Sequence, residues 1–341
     1  MKTKTKPLPS AREVVKNLTR SIGQGAIMLL GDHTQGKVET LPTGSLGLDE
    51  ALGVGGIPIG RMIEIYGPEA SGKTTLTLSM LAQAQKRGHL GAFIDAEHAL
   101  DPDYAKRIGV DVDNLLIAQP DSGEEGLGLC ERLIRETPVR LIVIDSVAAL
   151  IPQAEVDGEM GDVHMGLQAR LMSQALRKLA PAAHKHNTTV IFINQLRMKI
   201  GNAYGPNETT PGGRALRFYT SVRLDVRRIA AIKHGDAVVG SRVRVKTVKN
   251  KVASPHKTAE FGIVFGRGID RPGELLDRGL ALSICQQHGS WFSWNNVKLG
   301  QGRHAALQWL VDNPHEMERL QTAVFKSSNV VSSSSTQSKA A

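Results

Sequence analysis

Aromatic side chains make up only 4% of this chain. A sheet of base-stacking rings, the device of many single-strand binders, is therefore not available to it. Cysteine is scarcer. Cys130 and Cys285 stand far apart and in no metal-ligand spacing, which argues against a disulfide framework and against a zinc site. No apolar run approaches the roughly 20 residues that a membrane helix needs. Met1–Asn17 alternates Lys, Thr and Pro and then turns helix-like, without the apolar core of a signal peptide. A cytoplasmic protein with no membrane contact is expected. Acidic residues are missing from Val324–Ala341, which holds Lys326 and Lys339.

What the chain has is length, glycine and positive charge. Its 341 residues accommodate one large domain and a smaller one. Glycine, at 35 residues, implies several loops that bend sharply or approach something closely. A formal charge of +9 favours a polyanionic partner, although ordinary surface basicity explains it equally well. With so few rings, any grip on nucleic acid must come from cations, backbone amides and loops.

Ser10-Ala11-Arg12-Glu13 is a capping box and predicts a short helix carrying Val14, Val15 and Leu18. Ile27–Leu30 is apolar and predicts a strand. Residues up to 33 are too few to build a core, so they are expected to pack on the rest of the chain or on a neighbouring subunit. From about Thr43 to Asp225, apolar strands alternate with helical stretches, the pattern of a parallel sheet wound with helices. Strands are expected at Met62–Tyr66, Gly91–Asp95, Leu141–Asp145 and Val190–Asn194. Each ends in polar residues, and in such sheets ligands bind beyond the carboxyl ends of the strands. Ser221–Arg228, Ser241–Lys249 and Glu260–Phe265 read as antiparallel or mixed strands. After Asp270 the pattern becomes helical, and the Ser-rich stretch Ser327–Ala341 reads as a disordered tail.

Gly67-Pro68-Glu69-Ala70-Ser71-Gly72-Lys73-Thr74 fits G-x-x-x-x-G-K-[ST]. Its glycines let backbone amides curl around phosphate oxygens, and the following helix adds its positive N-terminal end. Lys73 is suited to neutralise the β- and γ-phosphates, and the Thr74 hydroxyl to ligate Mg²⁺. A preceding strand and a helix over Thr75–Arg87, stopped by Gly88, supply the context the motif needs. Asp145 closes the apolar strand Leu141–Asp145. A cap on the next turn is its plain reading; beside a P-loop, a Mg²⁺-side carboxylate acting through water is the better one. Ile94-Asp95-Ala96-Glu97-His98 closes another strand with acids. Glu97 is the choice to orient and deprotonate an attacking water, with Asp95, or a purely structural Glu97, as alternatives.

Gln195 ends the strand Val190–Asn194 and opens a Gly/Pro-rich stretch, Arg197–Arg214, long enough to be functional or disordered. An amide there can bond the γ-phosphate and lose that bond on hydrolysis, coupling nucleotide state to the loop. A second irregular stretch, Gln153–Gly166, is rich in Gly and Met. Inert surface loop is the bland alternative for both. Arg170 and Arg177 lie seven apart on an apparent helix, hence on one face. Arg223, Arg227, Arg228, Arg242, Arg244, Lys246, Lys249 and Lys251 put cations on strand-like segments. Such runs are usually solvated, but in a phosphate-handling domain phosphate contact is favoured.

The stretches Ile65–Leu78, Phe93–Pro102, Asp145–Leu150, Gly161–Gly166, Phe192–Gly201 and Val248–Lys251 together resemble the bacterial RecA recombinase family, and the similarity runs from Ser10 to about Leu310. The resemblance implies an α/β fold: a mostly parallel twisted sheet with helices on both faces. It divides the chain into an N-terminal oligomerisation helix and strand (1–33), an ATPase core (34–270), a small α+β C-terminal domain (271–326) and a tail (327–341). Glu97 would be the catalytic base, Gln195 the γ-phosphate sensor, and Gly67–Thr74 with Thr75 the phosphate cradle. Asp101 and Tyr104 would contact adenine, with Phe265 nearby. Lys249 and Lys251 would reach ATP bound to the next subunit. Two DNA-binding loops, about 155–166 and 195–214, would insert Met165 and Ile200 between base triplets, with Arg197 and Met198 at the root of the second. Arg170, Ser173, Arg177, Gly212, Gly213 and Arg214 would hold the DNA backbone. Ile27 and Phe218 would lie at subunit contacts. Implied ligands are ATP and Mg²⁺; implied partners are single-stranded DNA, double-stranded DNA, copies of the chain in a helical filament, and a LexA-type repressor. Three residues depart from the family pattern: Phe265, where many relatives carry Tyr, Ala70 and Arg214. So does the tail, which is acidic in many relatives. A ring helicase, a RadA-like motor and a DNA-binding scaffold with a relic nucleotide site are the competing readings. Two distant cysteines cannot build the zinc finger of the second, and intact Lys73, Thr74, Glu97 and Asp145 argue against the third.

Overall fold

A computed structural model gives the fold and describes residues 9–24, 26–32, 38–159, 166–198 and 208–337. The chain divides into two compact units, Met1–Glu39 and Thr40–Ala341. In the first, helix α1 (Ala11–Ile22) starts at the capping box: the Ser10 side chain accepts from the Glu13 amide, and the Glu13 carboxylate accepts from the Ser10 amide. The Ser10 amide first, and then the Ser10 hydroxyl, both donating to the Glu13 carboxylate, hold it below its ordinary range. The strand expected at Ile27–Leu30 is not formed. Bends and a turn replace it, with the Asp32 amide bonded to the Leu29 carbonyl. A strand needs an edge to pair with, and this short unit has none among its described residues.

The second unit opens with β1 (Thr40–Leu41) and β2 (Ile57–Pro58), an antiparallel pair flanking α2 (Leu46–Leu52). Strands and helices then alternate: β3 (Met62–Gly67), α3 (Lys73–Lys86), β4 (Leu90–Asp95), α4 (Pro102–Ile108), β5 (Leu115–Ala118), α5 (Gly123–Glu136), β6 (Val139–Asp145), α6 (Gln153–Val156), α7 (Leu167–His186) and β7 (Thr189–Gln195). β8 (Arg197–Met198) and β9 (Glu208–Thr209) pair at the root of the long loop, and α8 (Ala215–Tyr219) follows. β10 (Val222–His234), β11 (Ala237–Asn250), β12 (Thr258–Val264) and β13 (Gly268–Ile269) complete a nine-stranded sheet. Its order is β13-β12-β11-β10-β3-β7-β6-β4-β5, parallel from β10 to β5 and antiparallel beyond β10.

Period-two alternation feeds two apolar layers, one on each face of the sheet. Leu141, Val143, Ile191 and Ile193 face the layer that holds α3. Ile142, Ile144, Val190 and Phe192 face the layer that holds α7. Because crossover helices cover both faces, the central strands are apolar throughout and their polar residues collect at the carboxyl ends. α3 begins at Lys73, earlier than the Thr75 expected, since the last residues of the P-loop pattern form its first turn.

The helical pattern expected after Asp270 is broken by a small sheet. Helix α9 (Arg271–Ala281) leads into the antiparallel β14 (Cys285–His288), β15 (Trp291–Trp294) and β16 (Val297–Gln301), and then α10 (Arg303–Asp312) and α11 (Pro314–Gln337). The Asn295–Asn296 turn, with both residues at positive φ, joins β15 to β16; two Asn in the left-handed region suit a tight hairpin. Leu275, Leu276, Phe292, Trp294, Leu310, Leu320 and Val324 form a core of their own. α11 runs on to Gln337, where Ser-rich composition had suggested an irregular tail from Ser327. The docked turn at Leu320 and Val324 supplies the nucleus that such a weak helix former lacks. Glu274 on α9 anchors this part of the unit to α2, accepting from the Ser45 hydroxyl and from the Leu46 and Gly47 amides.

Candidate nucleotide and DNA site

β3 delivers Gly67 to the carboxyl edge of the sheet. A Cβ there would lie 2.1 Å from the Val226 carbonyl oxygen, so glycine is what lets β10 pass so close. Gly72 sits at φ 93°, left-handed backbone that suits glycine, and a Cβ would meet Ile263 at 2.5 Å. Lys73 Nζ donates to the carbonyls of Gly67 (3.2 Å) and Pro68 (2.7 Å), and Thr74 Oγ1 donates to Asp145 Oδ2 at 2.8 Å. Ser71 Oγ is buried without a partner, an unspent donor beside the N-terminus of α3. Burial lowers the Lys73 pKa, against the pull of Asp145, Glu97 and Glu69. Burial pushes Asp145 up to about 6, helped by Glu97 and opposed by the Thr74 hydrogen bond and Lys73. A carboxylate held in this state regains its charge beside a divalent cation. The donor set fits a nucleoside triphosphate with Mg²⁺.

The cleft beside this loop encloses ≈ 230 Å³ and is lined by Ala70–Thr75, Tyr104, Ser241, Val243, Ile263 and Phe265. Thr75 Oγ1 and Tyr104 Oη are 2.6 Å apart. Asp101 caps α4, accepting from the Asp103 amide, and α4 carries Tyr104 to the cleft. Ser241, Val243 and Ile263 were not anticipated as walls; only the alternation along β11 and β12 marks them as inward-facing. A larger groove of ≈ 330 Å³ lies between α5 and α7. Its walls include Leu127, Leu171 and Leu179, and it has no amide cradle, so the P-loop cleft is the better nucleotide site.

Glu97 stands exposed just beyond β4, and its Oε1 accepts from Ser146 Oγ at 2.5 Å and from Gln195 Nε2 at 2.9 Å. Asp95, the alternative acid, is only 2% exposed and accepts from the Ala99 and Leu100 amides and the Gln119 side chain. It braces the turn that presents Glu97. Ser146 went unremarked in the sequence, although it directly follows Asp145.

Gln195 closes β7, so the root of the loop up to Arg214 meets Glu97. Gly212 and Gly213, at φ 80° and 76°, return the chain against Val147 and Ala169, where Cβ atoms would come within 2.7 and 2.8 Å. Helix α7 carries exposed Arg170 and Arg177 on one face with Ser173 between them, and Arg214 and Arg197 are exposed nearby in sequence to the two loop roots. Met165 and Ile200 lie outside the described residues; Met198 belongs to β8.

Six of the eight strand cations fall into two sets. Arg223 pairs with Glu64, Arg227 with Asp225 and Glu208, and Arg242 and Arg244 with Glu260. These four, expected to contact phosphate, are each paired with an acid. Lys249 and Lys251 instead converge on α8. Lys249 Nζ donates to the Arg217 (2.5 Å) and Phe218 (3.2 Å) carbonyls, and Lys251 Nζ reaches the latter at 3.5 Å. Burial, then Lys251 and Arg223, lower the Lys249 pKa, and Glu64 opposes them. Phe218 beside them is 72% exposed. In the first unit, Ile27 is half-buried.

Together these features define an ATPase of the P-loop class, with Glu97 and the root of a long loop hydrogen-bonded at the carboxyl edge of its sheet. Family models describe the sequence further: the RecA N-terminal domain matches residues 10–270 and the RecA C-terminal domain residues 273–329. Protein RecA of Caldanaerobacter subterraneus subsp. tengcongensis is 58% identical over 316 residues, 93% of this chain and 92% of that protein. Protein RecA of Clostridium tetani is 56% identical over 317 residues, covering 93% and 91%. The crystal structure of the RadB recombinase matches with a TM-score of 0.53 at 25% identity, over 67% of this chain and 98% of that one. The chain belongs to the RecA family, DNA-dependent ATPases of homologous recombination and repair. No described helix is long and apolar enough to cross a membrane.

Proposed function

We propose that this protein polymerises on single-stranded DNA into a helical filament whose ATP sites, loaded with Mg²⁺, are shared between neighbours, and that the filament pairs that strand with duplex DNA and exchanges strands. One observation carries the reading: Gln195, at the root of the loop expected to hold DNA, donates to Glu97, the acid expected to activate water. A rearrangement at that root on DNA binding moves Gln195, and with it a hydrogen bond on the base.

In this mechanism Lys73, Ser71 and the loop amides hold the triphosphate, while Thr74 and Asp145 serve the metal, which stabilises charge on the phosphates. Ser146 and Gln195 both bond Oε1 of Glu97, so Oε2 is the oxygen that takes the proton of the attacking water. Tyr104 and Phe265 border the base. Lys249 and Lys251 act on the neighbour's nucleotide, and Phe218 and Ile27 seal the contact. Met165, Ile200, Arg197 and Met198 with Arg170, Ser173, Arg177, Gly212, Gly213 and Arg214 hold the strand. The protein works in the cytoplasm, and its filament stimulates self-cleavage of a LexA-type repressor. Glu97→Gln tests the assignment. It should bind ATP and assemble on DNA while turnover falls about 10²- to 10⁴-fold. Assembly with near-normal turnover would remove Glu97 from the base role.

A further inference from the structure

Glu64 is a carboxylate with no exposure at all, in the middle of β3. Its neighbours along the strand, Ile63 and Ile65, belong to the apolar core. Its Oε2 accepts from Arg223 Nε at 2.5 Å and its Oε1 from Asn194 Nδ2 at 3.1 Å. Asn194 is equally buried. Its Nδ2 also donates to the Pro211 carbonyl at 3.2 Å, and its Oδ1 accepts from the Gln195 amide at 3.0 Å. One side chain thus touches both roots of the long loop, the departing Gln195 and the returning Pro211.

The other end of the network faces the lysines. Arg223 stacks over the Tyr66 ring, 4.7 Å from its centroid, and pairs across the sheet with Lys249. A buried ion pair is poor value for stability, since apolar residues of similar volume often do as well. Its use lies in holding one arrangement. Here the arrangement joins the loop to the strand that carries Lys249.

Resting on the reading that these lysines act on a neighbour's nucleotide, we infer that Glu64 and Asn194 are positioning residues that couple DNA engagement at the two loop roots, Gln195 and Pro211, to the placement of Lys249 and Lys251. When DNA engages the loop roots, Pro211 and Gln195 fix Asn194, Asn194 fixes Glu64, and the Arg223–Lys249 register is held for the adjoining site. Neither residue touches substrate.

The test uses full-length chains in mixed filaments. A Lys73→Ala chain, which has no working P-loop but intact lysines, is the donor; a Lys249→Ala/Lys251→Ala chain is the acceptor. Adding Asn194→Ala to the donor should cut DNA-stimulated turnover of the mixture at least tenfold, with the KM for ATP within about twofold, since the acceptor's P-loop is untouched. A generally misfolded donor would fail to co-assemble, which labelled subunits report. If Asn194→Ala does not fold, Glu64→Met with Arg223→Met in the donor removes both charges together and carries the same expectation. A donor with either change that complements as well as plain Lys73→Ala overturns the inference. Failure of plain Lys73→Ala to complement overturns the shared-site reading beneath it.

Discussion

Mixed filaments also test the proposed sharing of the ATP site between subunits. The P-loop passes β10 at Val226, whereas Lys249 pairs with Arg223. Three residues of strand separate them, about 10 Å at about 3.3 Å per residue. Lys249 spends its ammonium on the α8 carbonyls instead. Replacing both lysines should leave ATP binding intact and lower DNA-stimulated turnover about 10²- to 10³-fold, the usual loss of a preorganised charge. Lys73→Ala should be as inactive. In a head-to-tail assembly each interface joins one chain's P-loop to the next chain's lysines. At equal amounts, random assembly gives about a quarter of interfaces with both parts intact. Activity should follow the product of the two fractions and vanish at either extreme. ATP hydrolysis on single-stranded DNA across mixing ratios, with co-assembly followed by energy transfer between labels, reads this out. Confirmed mixed filaments inactive at every ratio would mean that the lysines serve their own P-loop or none.

Two further outcomes are expected. Asp49 on α2 is pushed up to about 7, first by burial, with bonds from Thr43 opposing and Glu274 adding to the rise. Unfolded, the group loses its proton near pH 4, so its contribution favours the folded state below that and is lost as pH climbs toward 7, by at most about 4 kcal/mol. Asp49→Asn should flatten the fall in melting temperature between pH 5 and 8; an unchanged slope would refute the assignment. Removing residues 327–341, which hold Lys339 and no acid, should leave duplex binding and its salt slope nearly unchanged, because each phosphate contact is worth only about one unit of that slope. A large gain in duplex affinity would show instead that the segment inhibits by bulk or by docking.

The nucleotide half of the site was legible because its chemistry is local: two glycines, a lysine and a threonine at fixed spacing dictate a loop, and acids closing apolar strands dictate an edge. Choosing between Asp95 and Glu97 required coordinates, since only the three bonds on Asp95 reveal it as a brace. β5 escaped notice because Leu116 and Ile117 are exposed on an edge strand, where no clear alternation is imposed. The small sheet β14–β16 was hidden from the residue pattern by flanking helices, although the family resemblance implied an α+β C-terminal domain. Glu64 and Arg223 lie 159 residues apart, and no period in the sequence marks them as partners. Arg227, Arg242 and Arg244 pair with acids only 2 to 19 residues away, but which acid faces which cation is decided by how the strands and the loop root meet, not by spacing along the chain.

Helix α1 has a reciprocal cap at its start and no buried residue along its length. Val14, Leu18 and Ile22, four apart, make an exposed apolar stripe. An isolated helix of this length is marginal in water, and the stripe is suited to a covering surface. When that surface belongs to the next copy, adding a subunit and ordering a helix become one event. The two tips of such a polymer are then unlike: one displays an uncovered, half-ordered stripe and the other a finished but vacant seat. A chain of these subunits has a direction before it meets any DNA.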